Sequence, residues 1–163
     1  MNLEAIPEEL KKYPNWLVWK KVPKDKGDEF KKEPYSPKTG IKCNSFSGCD
    51  TFDNAVKVFK TGKFDGIGFR FADNTAPLVG IDVDKCINNG VLNEDIRIIT
   101  VAMFNSYTEI SPSGKGLHII GKAEELDILA KKVKYDHDND IVFEMYNEKR
   151  FFTITGDVFE NYS

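Results

Sequence analysis

The chain has 163 residues, of which 40% are hydrophobic and 12% aromatic. This is enough for one substantial core and too little for a second full domain. The net charge of −3 argues against a general nucleic-acid coat protein. No segment approaches the roughly 18 apolar residues that cross a membrane, and the acidic N-terminus lacks the features of a signal peptide. We therefore expect a single-domain cytoplasmic protein with no membrane partner.

The positive charges are concentrated near the N-terminus. Residues 1–42 have a net charge of +3, which leaves −6 for residues 43–163. The basic part is either a solvated lysine surface or a contact for a phosphate backbone.

The cysteines predict neither a disulfide framework nor a zinc site. Cys43, Cys49 and Cys86 form no CxxC pair, and an odd number at irregular spacing is typical of reduced thiols. The two histidines, His118 and His137, do not complete a recognisable zinc spacing.

The first elements in chain order are a helix and two strands. Leu3–Tyr13 has helix-forming composition, with acidic residues early and lysines late, as the helix dipole favours. Asn15–Val22 predicts a strand in which Trp16 and Trp19 lie on opposite faces, one in the core and the other available as a stacking surface. A core position is the simpler expectation for each. Lys32–Tyr35 is expected to return as the partner strand after a charged tip.

The middle of the chain predicts a helix followed by two strands. Apolar residues recur at helical spacing in Thr51–Thr61, and Asp50 or Thr51 is available to cap the start. Gly66–Phe71 and Pro77–Asp84 read as strands joined by a short turn. We expect them to pair as an antiparallel hairpin.

The second half of the chain alternates strands and helices. Asn93–Asn105 predicts a helix, and Leu117–Gly121 predicts a strand after a glycine-containing loop. The other expected elements are strands at Tyr107–Ile110, Ile141–Tyr146 and Arg150–Thr155, a helix at Glu124–Lys132 and an acidic turn at Asp136–Asp140. This order predicts an α+β fold with helices packed on a mainly antiparallel sheet.

The strand that ends at residue 84 carries two aspartates, Asp82 and Asp84. Side chains on one face of a strand recur every second residue, so both point the same way, opposite to Ile81 and Val83. Two like charges this close repel unless a cation lies between them or one is protonated, and carboxylate oxygens suit Mg²⁺ or Mn²⁺. The alternative is a strand end in solvent, where acids are common.

The loop at Ser111–His118 contains two glycines, two serines, a lysine and a histidine. Glycines let backbone N–H groups approach an anion, and the side chains of Ser113, Lys115 and His118 add donors, so the loop suits a triphosphate. It is not a Walker A loop, because Lys115 is followed by glycine and then by an apolar strand. A plain hairpin turn is the alternative.

Two further polar residues stand out in the last strands. Glu144 interrupts an apolar strand and is either an edge position facing water or a third metal ligand. Arg150 either binds a phosphate or pairs with a surface acid, and Thr153 and Thr155 share one face of its strand. With the aspartates and the loop, these are the parts needed for metal-dependent nucleotidyl transfer, in which metal ions activate a hydroxyl and basic side chains hold the triphosphate.

Several motifs occur in a characteristic order. They are Gly-Ile-Asp-Val-Asp at 80–84, Ser-Tyr-Thr-Glu-Ile-Ser-Pro-Ser-Gly-Lys-Gly-Leu-His at 106–118, Glu-Met-Tyr at 144–146 and Arg-Phe-Phe-Thr-Ile-Thr-Gly at 150–156. This order resembles the primase-polymerase (prim-pol) domain of phage and plasmid replication proteins, in the archaeo-eukaryotic primase superfamily. Trp-Leu-Val-Trp-Lys at 16–20 and Phe-Asp-Gly-Ile-Gly-Phe at 64–69 also resemble that group, so the resemblance spans about residues 14–156.

The resemblance implies a catalytic core at residues 66–163 whose sheet is like that of an RNA-recognition motif (RRM), preceded by a small αβ module at residues 1–65. By the same resemblance Asp82, Asp84 and Glu144 would be catalytic residues that bind two divalent metal ions, Mg²⁺ or Mn²⁺. A catalytic His118 would contact the triphosphate. The other residues that the resemblance places near the nucleotide are Ser111, Ser113, Lys115, Gly116, Arg150, Thr153 and Thr155.

The implied activity is the synthesis and extension of primers from dNTPs or NTPs on a DNA template. The chain departs from the usual pattern at Phe52, where the family has tryptophan, and at Cys43 and Cys49 in the preceding loop. Glu144 stands where the wider superfamily often has aspartate, which places the chain with the phage-like branch. Such proteins commonly continue into a helicase domain. We therefore expect an excised domain or a small stand-alone protein, with a helicase domain or a partner protein as a further component.

Two other functions remain open. A catalytically idle module would use its sheet, aromatic residues and N-terminal lysines to hold single-stranded DNA or a nucleotide for a partner protein. A metal-dependent nuclease would also use paired carboxylates, but the phosphate-holding loop and Arg150 have less purpose there.

Overall fold

The computed structural model describes residues 1–24, 30–44, 47–103, 106–123, 132–136 and 140–159. The α-helices in these ranges are α1 (Glu8–Lys11), α2 (Phe52–Phe59) and α3 (Glu94–Met103), and a short 3₁₀ helix spans Asp73–Thr75. The strands are β1 (Trp16–Pro23), β2 (Phe30–Tyr35), β3 (Gly66–Phe71), β4 (Leu78–Asp84), β5 (Ile87–Asn88), β6 (Val91–Leu92), β7 (Tyr107–Ile110), β8 (Leu117–Lys122), β9 (Lys132–Asp136), β10 (Ile141–Tyr146) and β11 (Arg150–Ile154). None of the helices described is long and apolar enough to cross a membrane.

The strands form two main sheets. The first has the order β11-β3-β1-β2 and the second the order β7-β8-β4-β10-β9, while β5 and β6 pair separately. The pairs in both sheets are antiparallel, so the predicted α+β fold with antiparallel strands is confirmed. The first sheet contains strands from both sides of residue 65, and the division into a 1–65 module and an RRM-like core stays a prediction.

The predicted hairpin between the strands at 66–71 and 77–84 is wrong. β3 pairs with β1 and β11, whereas β4 pairs with β8 and β10 in the other sheet. A Cβ atom at Gly80 of β4 would lie 2.6 Å from the ring of Phe71 and 2.7 Å from the ring of Phe152. Because Gly80 makes room for these rings, β4 meets the first sheet through its face and not through hydrogen bonds along its edge.

Both tryptophans belong to the core, which confirms the simpler expectation for each, and neither provides a stacking surface. Trp16 is fully buried, packs edge-on against Phe52 and donates a hydrogen bond from Nε1 to the carbonyl oxygen of Leu10. Trp19 is also buried and donates from Nε1 to the carbonyl oxygen of Ile67. The aromatic residues of β1 therefore stabilise the fold.

Most other predicted elements are confirmed with shifted ends. The first helix is shorter than predicted and begins after Pro7. The reason is that a proline disfavours the helical conformation of the residue before it. Thr51 caps α2 by accepting a hydrogen bond from the backbone N–H of Asn54 at 3.3 Å. The helix predicted at 124–132 lies outside the described residues except for its last residue. The acidic turn predicted at 136–140 lies outside them at residues 137–139. Lys132 begins β9, a strand that was not predicted.

The two faces of β4 have different surroundings. Ile81 and Val83 face a hydrophobic cluster that includes Ile96 of α3, whereas Leu78 faces the cluster shared with the first sheet. Asp82 lies on the same face of β4 as Leu78 and Gly80, past the aromatic rings that cover Gly80. The acidic end of β4 therefore opens into a cleft between the two sheets.

Candidate active site

A row of polar side chains crosses the second sheet. Directly opposite residues of antiparallel strands point to the same face. Asp82 lies opposite His118 on β8 and opposite Glu144 on β10. The row continues to Glu109 opposite His118 and to Lys132 opposite Glu144. Three predicted catalytic residues from distant parts of the sequence are therefore neighbours on adjacent strands.

A cavity of about 220 Å³ lies over this row and between the sheets. The second sheet contributes the carboxylates of Asp82 and Glu144 with the His118 ring, and the first sheet contributes Lys32 and Arg150. The other lining residues are Tyr146, Phe151, Phe152 and Thr153. One wall of this cleft is therefore mainly acidic and the other is basic.

Asp82 has the least satisfied carboxylate of the row. Its Oδ1 atom is buried without a hydrogen-bond partner in the described part of the chain, and His118 Nε2 lies 3.8 Å from it. Burial raises the pKa of Asp82, and the neighbouring Asp84 carboxylate adds to the increase while His118 opposes it. An unpaired buried charge is unfavourable, so a cation at this position would stabilise the site.

Asp82 and Asp84 fit the pair predicted to bind a hard cation, because they share one face and offer oxygen ligands only. Asp84 is exposed at the end of the strand. However, no group of three His, Cys, Asp or Glu side chains within the described ranges is arranged to hold a metal ion. A metal position shared by Asp82, Asp84 and Glu144 therefore stays a prediction.

Glu144 is engaged by side chains of its own sheet. Lys132 Nζ lies 2.5 Å from its Oε1 atom, and the Tyr146 hydroxyl donates a hydrogen bond to Oε2. Burial acts to raise the pKa of Glu144, but the bonds from Lys132 and Tyr146 outweigh it, and the pKa is lowered overall. Glu144 is thus an ionised carboxylate whose charge is matched by a lysine.

His118 is held in one orientation. Its Nδ1 atom lies 2.9 Å from the carbonyl oxygen of Thr153, and its ring stacks on Phe152 with 4.8 Å between centroids. A carbonyl oxygen only accepts, so Nδ1 carries a proton and donates. Nε2 is the ring nitrogen that points towards Asp82 and the cleft.

Glu109 supports His118 from behind and was not predicted as part of the site. It is fully buried, and Oε1 lies 3.4 Å from His118 Nδ1. Its carboxylate accepts hydrogen bonds from the backbone N–H groups of Thr155 and Gly156, at 3.0 and 2.9 Å, and from the Tyr107 hydroxyl at 2.6 Å. Its signal in the sequence is the one that marked Glu144, an acid within a short, otherwise uncharged strand.

The basic wall contains one predicted residue and one that was missed. The guanidinium of Arg150 lies over the Tyr146 ring at 4.8 Å and donates a hydrogen bond to its hydroxyl at 3.3 Å. Lys32 reaches the cleft from β2 and donates from Nζ to Thr153 Oγ1 at 3.3 Å. Local sequence gives no sign of this contact, because it joins the two edge strands of the first sheet.

The loop at residues 111–116 lies beside this cavity and does not line it. Ser113 and Lys115 line a separate groove of about 770 Å³ with the β5–β6 hairpin. A Cβ atom at Gly116 would lie 2.6 Å from the carbonyl oxygen of Val83, so the loop runs close to the acidic end of β4. The roles of Ser111, Ser113, Lys115 and Gly116 in nucleotide binding stay predictions. Thr155 uses its hydroxyl to donate to the carbonyl oxygen of Ile110.

The fold and the cleft define an α+β domain in which carboxylates on one sheet face cations on another. No family model matches the chain. The chain is 34% identical, over 164 residues and 98% of its length, to a DNA primase-polymerase of Nitratiruptor phage NrS-1. It spans 21% of that relative's own length. This similarity supports a prim-pol domain and agrees with the resemblance carried by the sequence motifs.

Proposed function

We propose that the chain is a template-dependent primase-polymerase domain, which transfers nucleotidyl groups from dNTPs or NTPs to a 3′-hydroxyl in DNA replication of the phage or plasmid type. The observation that carries the proposal is the position of Asp82 between His118 and Glu144 at a cavity that Lys32 and Arg150 also line. Its buried Oδ1 atom has no hydrogen-bond partner in the described residues. The similarity to a named primase-polymerase supports the same activity.

In the proposed reaction the 3′-hydroxyl loses its proton to solvent water and its oxygen bonds to the α-phosphorus of the nucleotide. The bond between the α-phosphorus and the bridging oxygen breaks, and pyrophosphate leaves. When bound, Mg²⁺ or Mn²⁺ would activate the hydroxyl and neutralise charge on the leaving group. Asp82, Asp84 and Glu144 would hold two such ions, and Glu144 would exchange its contact with Lys132 to do so.

The remaining residues position the phosphates. The hydrogen bond from His118 Nδ1 to the Thr153 carbonyl leaves Nε2 facing the cleft, where the protonated imidazolium would donate from Nε2 to a triphosphate oxygen. Arg150 lies on the opposite, basic wall of the cleft. Its hydrogen-bond partner in the described residues is the neutral Tyr146, so its charge is available to a phosphate.

The test is a primer-extension assay on a primed DNA template, with dNTPs and either Mn²⁺ or Mg²⁺. The Asp82→Asn, Asp84→Asn double variant preserves side-chain size and removes both charges, and we expect it to lower incorporation roughly 100-fold or more. Asp95→Asn, at an exposed position of α3, serves as a control for the loss of a carboxylate. Equal incorporation by the wild type and the double variant would contradict the proposal.

A second candidate is a catalytically idle module that binds a nucleotide or single-stranded DNA for a partner protein. The contact between Glu144 and Lys132 favours it, because a carboxylate held by lysine is not free to bind a metal ion. A thermal shift caused by dATP that disappears on adding EDTA would favour the enzyme. Salt-sensitive binding of single-stranded DNA without any metal effect would favour the module.

A further inference from the structure

Lys32 lies where the sequence gives no reason to expect a site residue. It belongs to β2, one edge of the first sheet, and its ammonium contacts Thr153 on β11, the opposite edge. The sheet is therefore curved enough for a lysine side chain to bridge its two edges. This bridge brings the ammonium into the cavity that Asp82, His118 and Arg150 also line.

Among the residues that the structure describes, no acid contacts the ammonium of Lys32. In the described part of the chain its one hydrogen bond goes to the neutral Thr153 hydroxyl. Burial lowers its pKa, and the more distant carboxylates of Asp82 and Asp84 oppose that decrease. By contrast, the neighbouring Lys31 on β2 is exposed and pairs with Glu33 at 3.0 Å. A partly desolvated cation with a neutral partner gains strongly from an anionic ligand.

We propose that Lys32 binds the β- and γ-phosphates of the incoming nucleotide, an inference that rests on the proposed function. Lys32 and Arg150 lie on the first sheet and face the carboxylates of the second sheet across the cleft. A triphosphate between the walls would present phosphate oxygens to the cations and to ions held by the acids. Lysine provides a compact charge with rotatable donors, which suits terminal phosphates that change position as pyrophosphate leaves.

The experiment measures the affinity of the whole chain for dATP and for dAMP in the presence of Mn²⁺, by titration calorimetry. Lys32→Gln should weaken dATP binding roughly 10-fold or more, because a charge-assisted hydrogen bond is lost, and should leave dAMP binding unchanged. Lys31→Gln is the matched control and should bind both nucleotides as the wild type does. Lys32→Arg should retain part of the dATP affinity.

Unchanged dATP affinity in Lys32→Gln would overturn the inference, and so would an equal loss of affinity for dATP and dAMP. Absence of dATP binding by the wild type would overturn it together with the proposed function. If the wild type binds dATP, Lys32→Gln weakens that binding and no primer is extended, then Lys32 keeps its role and polymerisation is refuted.

A second measurement does not depend on the folding of a variant. Lysine acetylation followed by mass spectrometry should show that dATP with Mn²⁺ slows modification of Lys32 in the wild type and leaves Lys31 unchanged. dAMP should protect Lys32 much less than dATP. Equal modification of Lys32 with and without dATP would overturn the inference.

Discussion

Asp82 and Glu144 lie directly opposite each other on β4 and β10, and their carboxylates have opposite electrostatic surroundings. The pKa of Asp82 is raised, first by burial and then by Asp84. The pKa of Glu144 is lowered, because hydrogen bonds from Lys132 and Tyr146 outweigh its burial. One carboxylate therefore needs a cation and the other already has one. This difference leads to separate predictions for the two residues.

Asp82→Asn should stabilise the protein in metal-free buffer while it abolishes extension. The pKa of Asp82 is higher in the folded state than in the unfolded state, so ionisation of Asp82 destabilises the folded protein. This destabilisation is complete at a pH above the folded-state pKa and disappears at a pH below the unfolded-state pKa. We expect a gain of about 1 kcal/mol in the free energy of unfolding at neutral pH with EDTA. The gain should shrink as the pH falls towards the unfolded value.

Urea unfolding at several pH values measures this gain. Asp84→Asn is the comparison and should give a smaller gain, because Asp84 is exposed and its charge acts by raising the pKa of Asp82. An Asp82→Asn variant that is less stable than the wild type at neutral pH would show that the carboxylate has a partner that stabilises it.

Lys132→Met should lower the Mn²⁺ concentration needed for half-maximal extension, by roughly 3-fold or more. The reason is that Lys132 Nζ competes with metal for the Glu144 carboxylate, from which it lies 2.5 Å away. The matched control is Lys134→Met, two residues further along β9, which removes a lysine that pairs with Asp140 at 2.8 Å. A higher Mn²⁺ requirement in Lys132→Met alone would mean that Lys132 helps to place Glu144.

The sequence predicted the positions of the candidate carboxylates better than it predicted their partners. Period-two alternation in β4 is a local property, so it placed Asp82 and Asp84 on one face before any neighbour was known. Glu144 stood out because one acid interrupts an apolar strand. Lys32 and Glu109 were missed as site residues, since the contact of Lys32 with β11 and the contacts of Glu109 around residue 155 join distant parts of the chain.

The wrong hairpin has a similar origin. β3 and β4 are adjacent in sequence and joined by a short turn, which locally favours pairing. The aromatic rings of Phe71 and Phe152 instead occupy the space over Gly80, and each strand finds partners elsewhere. The composition of a segment predicts that it forms a strand. The sheet to which the strand belongs is decided by packing of side chains from remote segments.

Glu109→Gln should destabilise the protein by about 2 kcal/mol and lower the rate of extension. The buried carboxylate accepts from two backbone N–H groups, at Thr155 and Gly156, and an amide would turn an NH₂ group towards one of these donors. Tyr107→Phe should cost about 1 kcal/mol, since it removes one hydrogen bond to Glu109. Burial raises the pKa of the Tyr107 phenol, so it stays a donor at every working pH.

Thermal unfolding followed by calorimetry gives both costs, and a primer-extension assay at a saturating dNTP concentration gives the rate. If Glu109 only supports the fold, Tyr107→Phe and Glu109→Gln should both extend primers at the wild-type rate at a temperature where they are fully folded. A loss of rate in Glu109→Gln indicates that the carboxylate also orients His118, whose Nδ1 atom lies 3.4 Å from it.

Gly80→Ala should separate the two sheets slightly and disturb the cleft. The new methyl group would lie 2.6 Å from the Phe71 ring and 2.7 Å from the Phe152 ring, closer than Cβ contacts in real proteins. We expect a loss of about 1–3 kcal/mol in the free energy of unfolding, and a lower extension rate because Phe152 also stacks on His118. Phe71→Leu in the same chain should restore part of the stability by making room for the methyl group. A Gly80→Ala variant as stable as the wild type would mean that the rings move aside freely, and that the face of β4 does not fix the distance between the sheets.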